Sequence, residues 1–257
     1  MSTITKVVVS AAGQGTRMLE LTKDKSKHLI FVEDRPFLAY LLDNIINAGY
    51  SKIMLVTGFR DDAIRDFLKN YKPFTNSSEL VNGHDYAISV INQHEILGPK
   101  EKEYGTACPI KCVKDWVGGE QFISLAGDNF YEVNDLKSMN IDDNYNYVAG
   151  FKSERPENFG VLIEEDGFLK EIIEKPKKFV GNLINASLYK FTPEVFEKLP
   201  LIKKSPRREY EITDVISLLA KEKKVKVKKF NGFWMDFGRP NDIDRFSEFL
   251  KRKMIEK

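Results

Sequence analysis

The stretch KVVVSAAGQGTR, residues 6–17, joins a short apolar run to a loop with two closely spaced glycines. The run from Lys6 to Ala12 contains β-branched residues and ends at a glycine, which is typical of a buried strand in a parallel sheet. In open α/β sheets, ligands bind at the carboxyl ends of such strands. Gly13 and Gly15 would expose backbone N–H groups there, and such groups bind phosphate oxygens. The stretch therefore predicts a phosphate-binding loop on an α/β sheet.

The loop matches neither of two common phosphate-binding patterns. A dinucleotide fingerprint needs a third glycine where Met18 stands, and a Walker A loop needs four residues between its glycines. Two cations, Arg17 and Lys27, follow instead. Fixed cations beside a glycine loop suit a triphosphate, whose charge must be neutralised as it reacts. A plain strand-to-loop turn with surface cations is the alternative, because a short glycine motif is weak evidence.

Strand and helix patterns alternate along the first part of the chain. Strand-like runs occur at 6–12, 52–58, 88–93 and 122–128, and helix-like runs at 36–49, 61–68 and 105–117. This alternation predicts right-handed crossovers and a mostly parallel sheet covered on both faces, a Rossmann-like three-layer α/β/α sandwich. After about residue 145 the strand-like pieces become shorter, and no linker separates the two parts. We therefore predict one domain, 1–257, with lobes at 1–145 and 146–257.

Composition and charge name no macromolecular partner. Forty basic and thirty-eight acidic residues leave a net charge of +2. A membrane-spanning helix needs about 20 consecutive apolar residues, and every apolar run in this sequence is much shorter. The lysine-rich segment 223–229 alternates like an edge strand with lysines facing water, so we expect no nucleic-acid binding. The first residues lack the apolar segment of a signal peptide, which predicts a cytoplasmic protein. Cys108 and Cys112 form neither a zinc nor a redox motif and are expected to be reduced thiols.

Two aspartates are candidates for a metal site. Asp128 ends the apolar run 122–128, and Asp236 lies among aromatic residues in GFWMDFGRP, residues 232–240. Mg²⁺ prefers one or two carboxylates together with phosphate oxygens and water. We therefore expect Asp128 and Asp236 to bind Mg²⁺. A turn or capping role for Asp128, and a buried, hydrogen-bonded role for Asp236, are the alternatives.

Nine short motifs in register carry a resemblance to a known family. They are GQGTR at 13–17, Lys27, GTA at 105–107, GD at 127–128, FGV at 159–161, EKP at 174–176, NASLY at 185–189, EITD at 211–214 and WMDFG at 234–238. Their order and spacing over nearly the whole chain resemble the sugar-1-phosphate nucleotidyltransferases, the nucleotide-sugar pyrophosphorylases. Each motif is weak alone, but nine in register are hard to obtain by chance.

The resemblance implies a fold, a reaction and substrates. The fold is that of the nucleotide-diphospho-sugar transferases, with a nucleotide-binding lobe at 1–145 and a sugar-phosphate-binding lobe at 146–257. A sugar 1-phosphate attacks the α-phosphorus of a nucleoside triphosphate and expels pyrophosphate, with Mg²⁺ as cofactor. UTP or dTTP and glucose 1-phosphate are the favoured substrates. A homo-oligomer is compatible with the resemblance.

The resemblance also assigns roles to individual residues. Those expected to bind the nucleotide are Ala12, Gly13, Gly15, Thr16, Arg17, Gln93, Gly105 and Thr106, with Gln93 reading the edge of the base. Those expected to bind the sugar phosphate are Gly160, Glu174, Lys175, Asn185 and Glu211. Arg17, Lys27 and Lys175 are expected to be catalytic through charge neutralisation, and Asp128 and Asp236 to bind the metal. The three histidines form no constellation and are expected to be packing or surface residues.

Departures from the family pattern leave the substrates open. Phe31 and Arg35 stand where the family usually has a proline and a lysine, and Arg208 stands where related sequences often carry glycine. Gln93 suits a pyrimidine imide or a guanine edge. The chain ends soon after its last helix-like run, so we expect no left-handed β-helix of the kind that some relatives carry.

Three alternatives of different kinds remain. The first is a cytidylyl- or guanylyltransferase for another sugar phosphate. The second is a transferase for a non-sugar phosphate such as phosphocholine, against which the EKP, NASLY and EITD motifs argue. The third is a catalytically silent sensor of nucleotide or sugar phosphate. Retention of the whole set of charged residues argues against the sensor, because such clusters usually mark active sites.

Overall fold

The computed structural model of the protein describes residues 3–13, 15–22, 26–58, 61–74 and 86–255, except for the side chains of residues 16, 19 and 20. Within these ranges the strands are β1 (Lys6–Ala11), β2 (Phe31–Val32), β3 (Arg35–Pro36), β4 (Lys52–Thr57), β5 (Ala87–Asn92), β6 (Phe122–Ala126), β7 (Asn129–Tyr131), β8 (Asn146–Lys152), β9 (Gly160–Glu165), β10 (Phe168–Glu174), β11 (Leu183–Phe191), β12 (Val225–Phe230) and β13 (Trp234–Asp236).

The same ranges contain the α-helices and a few short 3₁₀ turns. The helices are α1 (Phe37–Asn47), α2 (Asp61–Asn70), α3 (Gln93–Leu97), α4 (Cys108–Lys111), α5 (Lys114–Val117), α6 (Val133–Ser138), α7 (Val195–Lys198), α8 (Ile212–Lys221) and α9 (Asn241–Ile255). The 3₁₀ turns are Thr16–Thr22, Lys27–Leu29, Pro156–Asn158 and Leu199–Leu201.

One nine-stranded mixed sheet receives strands from both halves of the chain. Its order is β5-β4-β1-β6-β11-β8-β12-β10-β9. The first four strands are parallel to one another, and β11 then runs antiparallel to β6. β9 also pairs with β11 at Val161 and Ile184, so the last five strands form a closed ring of pairings. The predicted α/β class is confirmed, while the division into two lobes stays a prediction.

The valine run of β1 lies in the middle of this sheet and contacts a layer of helices on each face. Successive strand residues point to opposite faces. Val7 and Val9 belong to the apolar cluster that contains α1, whereas Val8 between them belongs to the cluster that contains α4 and α8. A strand covered on both sides must be apolar at consecutive positions, which explains the valine run. The three-layer arrangement predicted from the sequence is therefore confirmed.

Two local predictions were wrong. Residues 105–117 do not form one helix but two short helices, α4 and α5. The lysine-rich β12 is not an edge strand, because it lies between β8 and β10. Its lysines find local partners: Lys226 Nζ lies 3.8 Å from the centre of the Tyr145 ring, and Lys229 forms an ion pair with Glu164.

The two cysteines agree with a further expectation. Cys108 and Cys112 are both free, and burial raises the pKa of their thiols to about 11 and about 12. Such thiols stay protonated and unreactive at neutral pH.

Within the described parts of the chain, none of the helices combines the length and the apolar character that crossing a membrane requires.

Candidate functional site

The glycine loop and the turn that carries Asp128 lie side by side, because they follow neighbouring parallel strands. Ser10 of β1 pairs with Ala126 of β6, and Gly127 N donates to Ser10 O at 2.8 Å. A Cβ on Gly127 would lie 2.9 Å from that oxygen, so glycine permits the close approach. The carboxyl ends of β1 and β6 thus form one edge of a crevice, as open α/β sheets do at ligand sites.

A small two-stranded sheet brings the second aspartate to the first. β13 pairs antiparallel with β7, and Asp236 stands opposite Asn129. Phe237 N donates to the backbone oxygen of Asp128 at 2.7 Å. Asp128 and Asp236, which are far apart in sequence, therefore belong to one acidic pair.

Lys27 lies between the glycine loop and Asp128. Its side chain is buried, and its ammonium group forms an ion pair with the Asp128 carboxylate. A Cβ on Gly13 would lie 3.5 Å from Lys27 Nζ, and a Cβ on Gly15 would lie 3.0 Å from Lys27 Cβ. Gly15 also has a φ of 67°, which favours glycine. The loop has glycines at these positions because Lys27 passes directly against it.

Arg17 lies beside the second aspartate. Its Nη1 is 3.8 Å from Asp236 Oδ2, and its side chain is exposed. A Cβ on Gly238 would lie 3.3 Å from Arg17 Nη2 and 3.2 Å from Asp236 Oδ1, so this glycine leaves room for the pair. Two cations and two carboxylates thus form one cluster at the mouth of the glycine loop.

The two carboxylates differ in their electrostatic state. Burial, and after it the charge of Asp128, raise the pKa of Asp236 to about 6, although Arg17 and Lys27 oppose the shift. Burial also raises the pKa of Asp128, but the adjacent Lys27 ammonium lowers it below its ordinary value. Mutual repulsion of two partly buried carboxylates is the condition that a divalent cation relieves.

The donor set at this acidic pair fits Mg²⁺. No group of three or more His, Cys, Asp and Glu side chains among the described residues is arranged to hold a metal. Mg²⁺ does not need such a cage, because it commonly uses one or two carboxylates plus substrate phosphates and water. Asp128 and Asp236 next to a phosphate-binding loop supply that combination.

His28, next to Lys27, is a neutral packing residue. It is buried, and its Nδ1 lies 3.0 Å from Ser26 Oγ. Its Nε2 has no hydrogen-bond partner among the described residues. Burial, helped by the charge of Lys27, lowers the pKa of His28 to about 3. The ring is therefore uncharged at neutral pH.

Gln93 presents an unpartnered acceptor. It follows β5 directly, at the first position of α3, and is only 1% exposed. Its Oε1 finds no hydrogen-bond donor among the described residues. A buried amide oxygen without a donor is costly, and such groups call for a ligand or water. Gln93 thus suits a ligand that offers an N–H group.

One cluster joins Gly105 and Thr106 to Glu211, although 105 positions separate Thr106 from Glu211 in the sequence. Gly105 has a φ of 130°, and a Cβ there would lie 2.5 Å from Tyr210 N. Thr106 Oγ1 accepts from Ile212 N at 2.9 Å and donates to Glu211 Oε2 at 3.1 Å. The Thr106 hydroxyl is therefore used within the protein, and it supplies the acceptor that the first turn of α8 needs.

Replacing Gly105 by alanine is expected to destabilise the protein by about 2 to 4 kcal/mol, because the new Cβ collides with backbone and the φ is unfavourable. Gly119→Ala is the matched control, since Gly119 has a φ of 80° but no atom within 4 Å of its Cβ position. That variant should lose only about 1 kcal/mol in urea unfolding. Equal losses in both variants would show that the contact with Tyr210 is unimportant.

The predicted sugar-side residues also lie together. Gly160 pairs with Glu174 across β9 and β10. A Cβ on Gly160 would lie 3.1 Å from Glu174 Oε2 and 3.9 Å from Asn185 Cβ. Lys175 follows directly with a φ of 44°, and its backbone N donates to Phe159 O at 3.0 Å. The uncommon backbone conformation turns the chain at the end of β10, where strain often marks a functional position.

A bulge in β11 connects the sugar side to the acidic pair. The register of β11 against β8 shifts between Asn185 and Tyr189. The carbonyl oxygen of Ala186 in this bulge accepts from Asn129 Nδ2 at 3.2 Å, Tyr131 OH at 2.8 Å and Trp234 Nε1 at 3.3 Å. These three positioning residues were not identified from the sequence. Asn129 directly follows the GD motif, and Trp234 is the first residue of the WMDFG motif.

Of the remaining predicted residues, Ala12 is buried at the start of the glycine loop. Its backbone oxygen would lie 3.0 Å from a Cβ atom on Gly58, so Gly58 approaches it closely. The side chain of Thr16 lies outside the described part of the chain. The structure thus brings together the predicted residues around the glycine loop, gathers Gly105, Thr106 and Glu211 in a second group, and places Gly160, Glu174 and Asn185 in a third. Their individual roles stay predictions.

Comparisons with known proteins agree with this geometry. The family model described as nucleotidyl transferase matches residues 6–253. The chain is 32% identical over 249 residues to the bifunctional protein GlmU of Methanocaldococcus jannaschii, covering 96% of this chain and 54% of GlmU. It is 28% identical over 258 residues to the UTP–glucose-1-phosphate uridylyltransferase AglF of Haloferax volcanii, covering 98% of each.

Among solved structures, a UDP-glucose pyrophosphorylase complexed with UDP-glucose superposes with a TM-score of 0.79 and 25% identity, covering 97% of this chain and 99% of the other. The chain spans about half the length of the bifunctional GlmU relatives that it matches, as the 54% coverage shows.

Proposed function

The chain belongs to the nucleotidyl transferase family, and on this premise we propose that it is a sugar-1-phosphate nucleotidyltransferase. It joins a nucleoside triphosphate to a sugar 1-phosphate and releases pyrophosphate. The observation that carries the proposal is the pairing of Arg17 with Asp236 and of Lys27 with Asp128 beside the glycine loop. Each charged group in this cluster has a task in such a reaction.

The two cations serve the triphosphate. In the ligand-free chain they neutralise the acidic pair. Phosphate oxygens in the glycine loop offer Arg17 and Lys27 a competing anion, and the carboxylates then become available to a divalent cation. Charge-assisted hydrogen bonds to phosphate are among the stronger contacts that these side chains make.

Asp128 and Asp236 would hold Mg²⁺, which supplies positive charge to the phosphate oxygens and so favours attack on phosphorus. The protein's own part is to keep the acidic pair and the two cations at the mouth of the loop. Catalysis then rests on positioning and charge neutralisation.

No general base is needed for this reaction. The attacking oxygen belongs to a phosphate that is already an anion. This agrees with the neutral, buried state of His28. Lys175, at the strained end of β10, would hold the attacking phosphate, while Gly160, Glu174 and Asn185 would bind the sugar. The bulge at Ala186 supports this pocket next to the acidic pair.

UTP and dTTP are the favoured nucleotides, and glucose 1-phosphate the favoured sugar phosphate. The unpartnered Oε1 of Gln93 would accept the imide N–H of uracil or thymine, which cytosine lacks. The names of AglF and of the UDP-glucose pyrophosphorylase support UTP and glucose 1-phosphate. The cytoplasmic location and a homo-oligomer stay predictions.

Gln93→Leu is expected to lower kcat/KM for UTP by about 10-fold to 100-fold, because one hydrogen bond to a buried base is lost. Gln121→Leu is the matched control, since Gln121 Oε1 is the other buried glutamine oxygen without a partner among the described residues. Gln121 lies elsewhere and donates to Asp143 O. Unchanged preference for UTP over CTP in Gln93→Leu would remove Gln93 from base recognition.

The proposal is tested by a substrate matrix. Five nucleoside triphosphates are combined with several sugar 1-phosphates and with phosphocholine, and pyrophosphate release is followed with and without Mg²⁺. We expect release with UTP or dTTP plus glucose 1-phosphate, and only with the metal. Release with phosphocholine as the better acceptor, or with no combination, would overturn the proposal.

A further inference from the structure

Glu211 is buried and hydrogen-bonded through both carboxylate oxygens within the protein. It is only 7% exposed. Its Oε2 accepts from Thr106 Oγ1 at 3.1 Å, and its Oε1 accepts from Ser205 Oγ at 3.1 Å and from Arg207 Nη2 at 2.9 Å. A carboxylate held in this way fixes its neighbours more readily than it binds a sugar hydroxyl. Its two oxygens have different partners, Thr106 for one and the segment with Ser205 and Arg207 for the other.

On the base side, Glu211 fixes the loop 104–107, here named the base loop. Thr106 Oγ1 also accepts from Ile212 N, so one hydroxyl connects the loop to the start of α8. Tyr210 N donates to Tyr104 O at 2.8 Å, and Ala107 N donates to Tyr210 O at 2.9 Å. The position of the base loop therefore depends on these hydrogen bonds to residues 210–212. It is fixed by the residues around Glu211.

Through its other oxygen, Glu211 fixes Arg207. The side chain of Arg207 is 58% exposed. Burial lowers the pKa of the Arg207 guanidinium, but the charges of Glu211, Glu209 and Glu174 raise it above its ordinary value. The helix that Glu211 precedes, α8, also packs against β10, which ends at Glu174 beside Gly160.

The segment that carries Arg207 is held in an uncommon conformation. Arg208 has a φ of 62°, a left-handed value that non-glycine residues adopt at a cost. A tight turn maintains it: Arg208 N donates to Ser205 O at 2.7 Å, and Ser205 N donates to Glu209 O at 2.8 Å. A strained turn that persists next to a predicted substrate pocket suggests a functional reason.

We propose that Glu211 is a positioning residue that links the two substrate pockets. Through one oxygen it holds Thr106 and the base loop, and through the other it holds Arg207, just before the helix that packs against the sugar-side strand β10. Removing the charge of Arg207 therefore loosens the base loop and weakens nucleotide binding, although Arg207 is far from Gln93 in the chain. The identity of the two substrates rests on the proposed function, whereas the link itself does not.

The link is tested first without ligands, by hydrogen exchange of the Ala107 amide, which donates to Tyr210 O. Exchange is expected to be about fivefold or more faster in Arg207→Gln and in Thr106→Val than in the wild type, a typical size for coupling between sites. Thr106→Ser keeps the hydroxyl and should exchange like the wild type. Glu209→Gln removes a charge from the same segment without touching Glu211 and is the matched control.

The double variant Arg207→Gln/Thr106→Val distinguishes a link from two separate defects. If both residues act through Glu211, its Ala107 amide should exchange no faster than that of Thr106→Val alone. Additive acceleration would overturn the proposal. So would wild-type exchange in Arg207→Gln.

Nucleotide affinity provides the second measurement. The dissociation constant for UTP, measured by calorimetry without sugar phosphate, is expected to rise about fivefold or more in Arg207→Gln and to stay unchanged in Glu209→Gln. Unchanged affinity in Arg207→Gln would overturn the link between pockets. If exchange behaves as expected but the wild type neither binds a triphosphate nor releases pyrophosphate, the link is supported and the proposed function fails.

Discussion

Asp236→Asn is expected to lower kcat/KM by about 1,000-fold, or about 4 kcal/mol of transition-state stabilisation, because it removes one of two carboxylates that would hold the metal. The exchange is nearly isosteric, so the β7–β13 pairing that presents the side chain should persist. The activity is measured as NDP-sugar formation under saturating Mg²⁺. Full activity would remove Asp236 from the metal site.

The same substitution is expected to make the ligand-free protein more stable at neutral and alkaline pH. The pKa of Asp236 is about 6 in the folded chain, against an ordinary value of 3.8. The folded state therefore holds its proton more tightly, and ionisation of Asp236 costs stability as the pH rises through about 6. Two pKa units correspond to about 3 kcal/mol, and partial exposure and the nearby Arg17 reduce the expected gain to about 1 to 2 kcal/mol.

The pH dependence of this gain is its control. Below about pH 3 the aspartate is mostly protonated in both the folded and the unfolded chain, so Asp236→Asn and the wild type should unfold at nearly the same urea concentration. Above about pH 7 the variant should be the more stable of the two. Asp244→Asn, at an exposed position of α9, should show no such difference. A variant that is less stable than the wild type at neutral pH would show that the carboxylate supports the fold.

Lys27→Met is expected to lose both activity and stability. Its buried ammonium group is the partner of the partly buried Asp128 carboxylate, and removing one member of such an ion pair costs up to about 3 to 5 kcal/mol. Activity should fall by about 100-fold or more, because a fixed cation that serves the triphosphate is lost. Urea unfolding and NDP-sugar formation measure the two effects separately.

A double variant separates the structural effect from the catalytic one. Lys27→Met/Asp128→Asn removes both charges and should recover most of the lost stability, since no uncompensated charge remains buried. Its activity should not recover. Lys6→Met is the matched control: Lys6 is another buried lysine, paired with Glu120, and should lose stability with little change in kcat. An active double variant would contradict the role given to this pair.

Local patterns in the sequence predicted much of the fold. The valine run of β1 and the apolar stripe of α1 predicted a buried parallel strand and a covering helix, because each pattern repeats with the period of its own element. The glycines of the loop and the aspartate after β6 could be placed because they follow strands directly. The nine motifs identified the family that the comparison with nucleotidyl transferases confirmed.

Long-range contacts explain what the sequence could not predict. β12 looks like an edge strand because its lysines alternate, yet β10 and the ring of the last five strands cover it. The 105–117 segment has a helical pattern, but its first residues belong to the base loop, which pairs with Tyr210, so the helix begins only at Cys108. The hydrogen bond between Thr106 and Glu211 joins residues 105 positions apart, so no local sequence pattern predicts it.

The central claim is that the chain transfers a nucleotidyl group from a triphosphate to a sugar 1-phosphate. Its most direct test is ³¹P NMR of the products formed from UTP and glucose 1-phosphate whose phosphate oxygens all carry ¹⁸O. We predict a UDP-sugar whose β-phosphorus retains every label, together with unlabelled pyrophosphate and a requirement for Mg²⁺. Label in the released pyrophosphate, or release of pyrophosphate without a diphosphate-sugar product, would contradict the account.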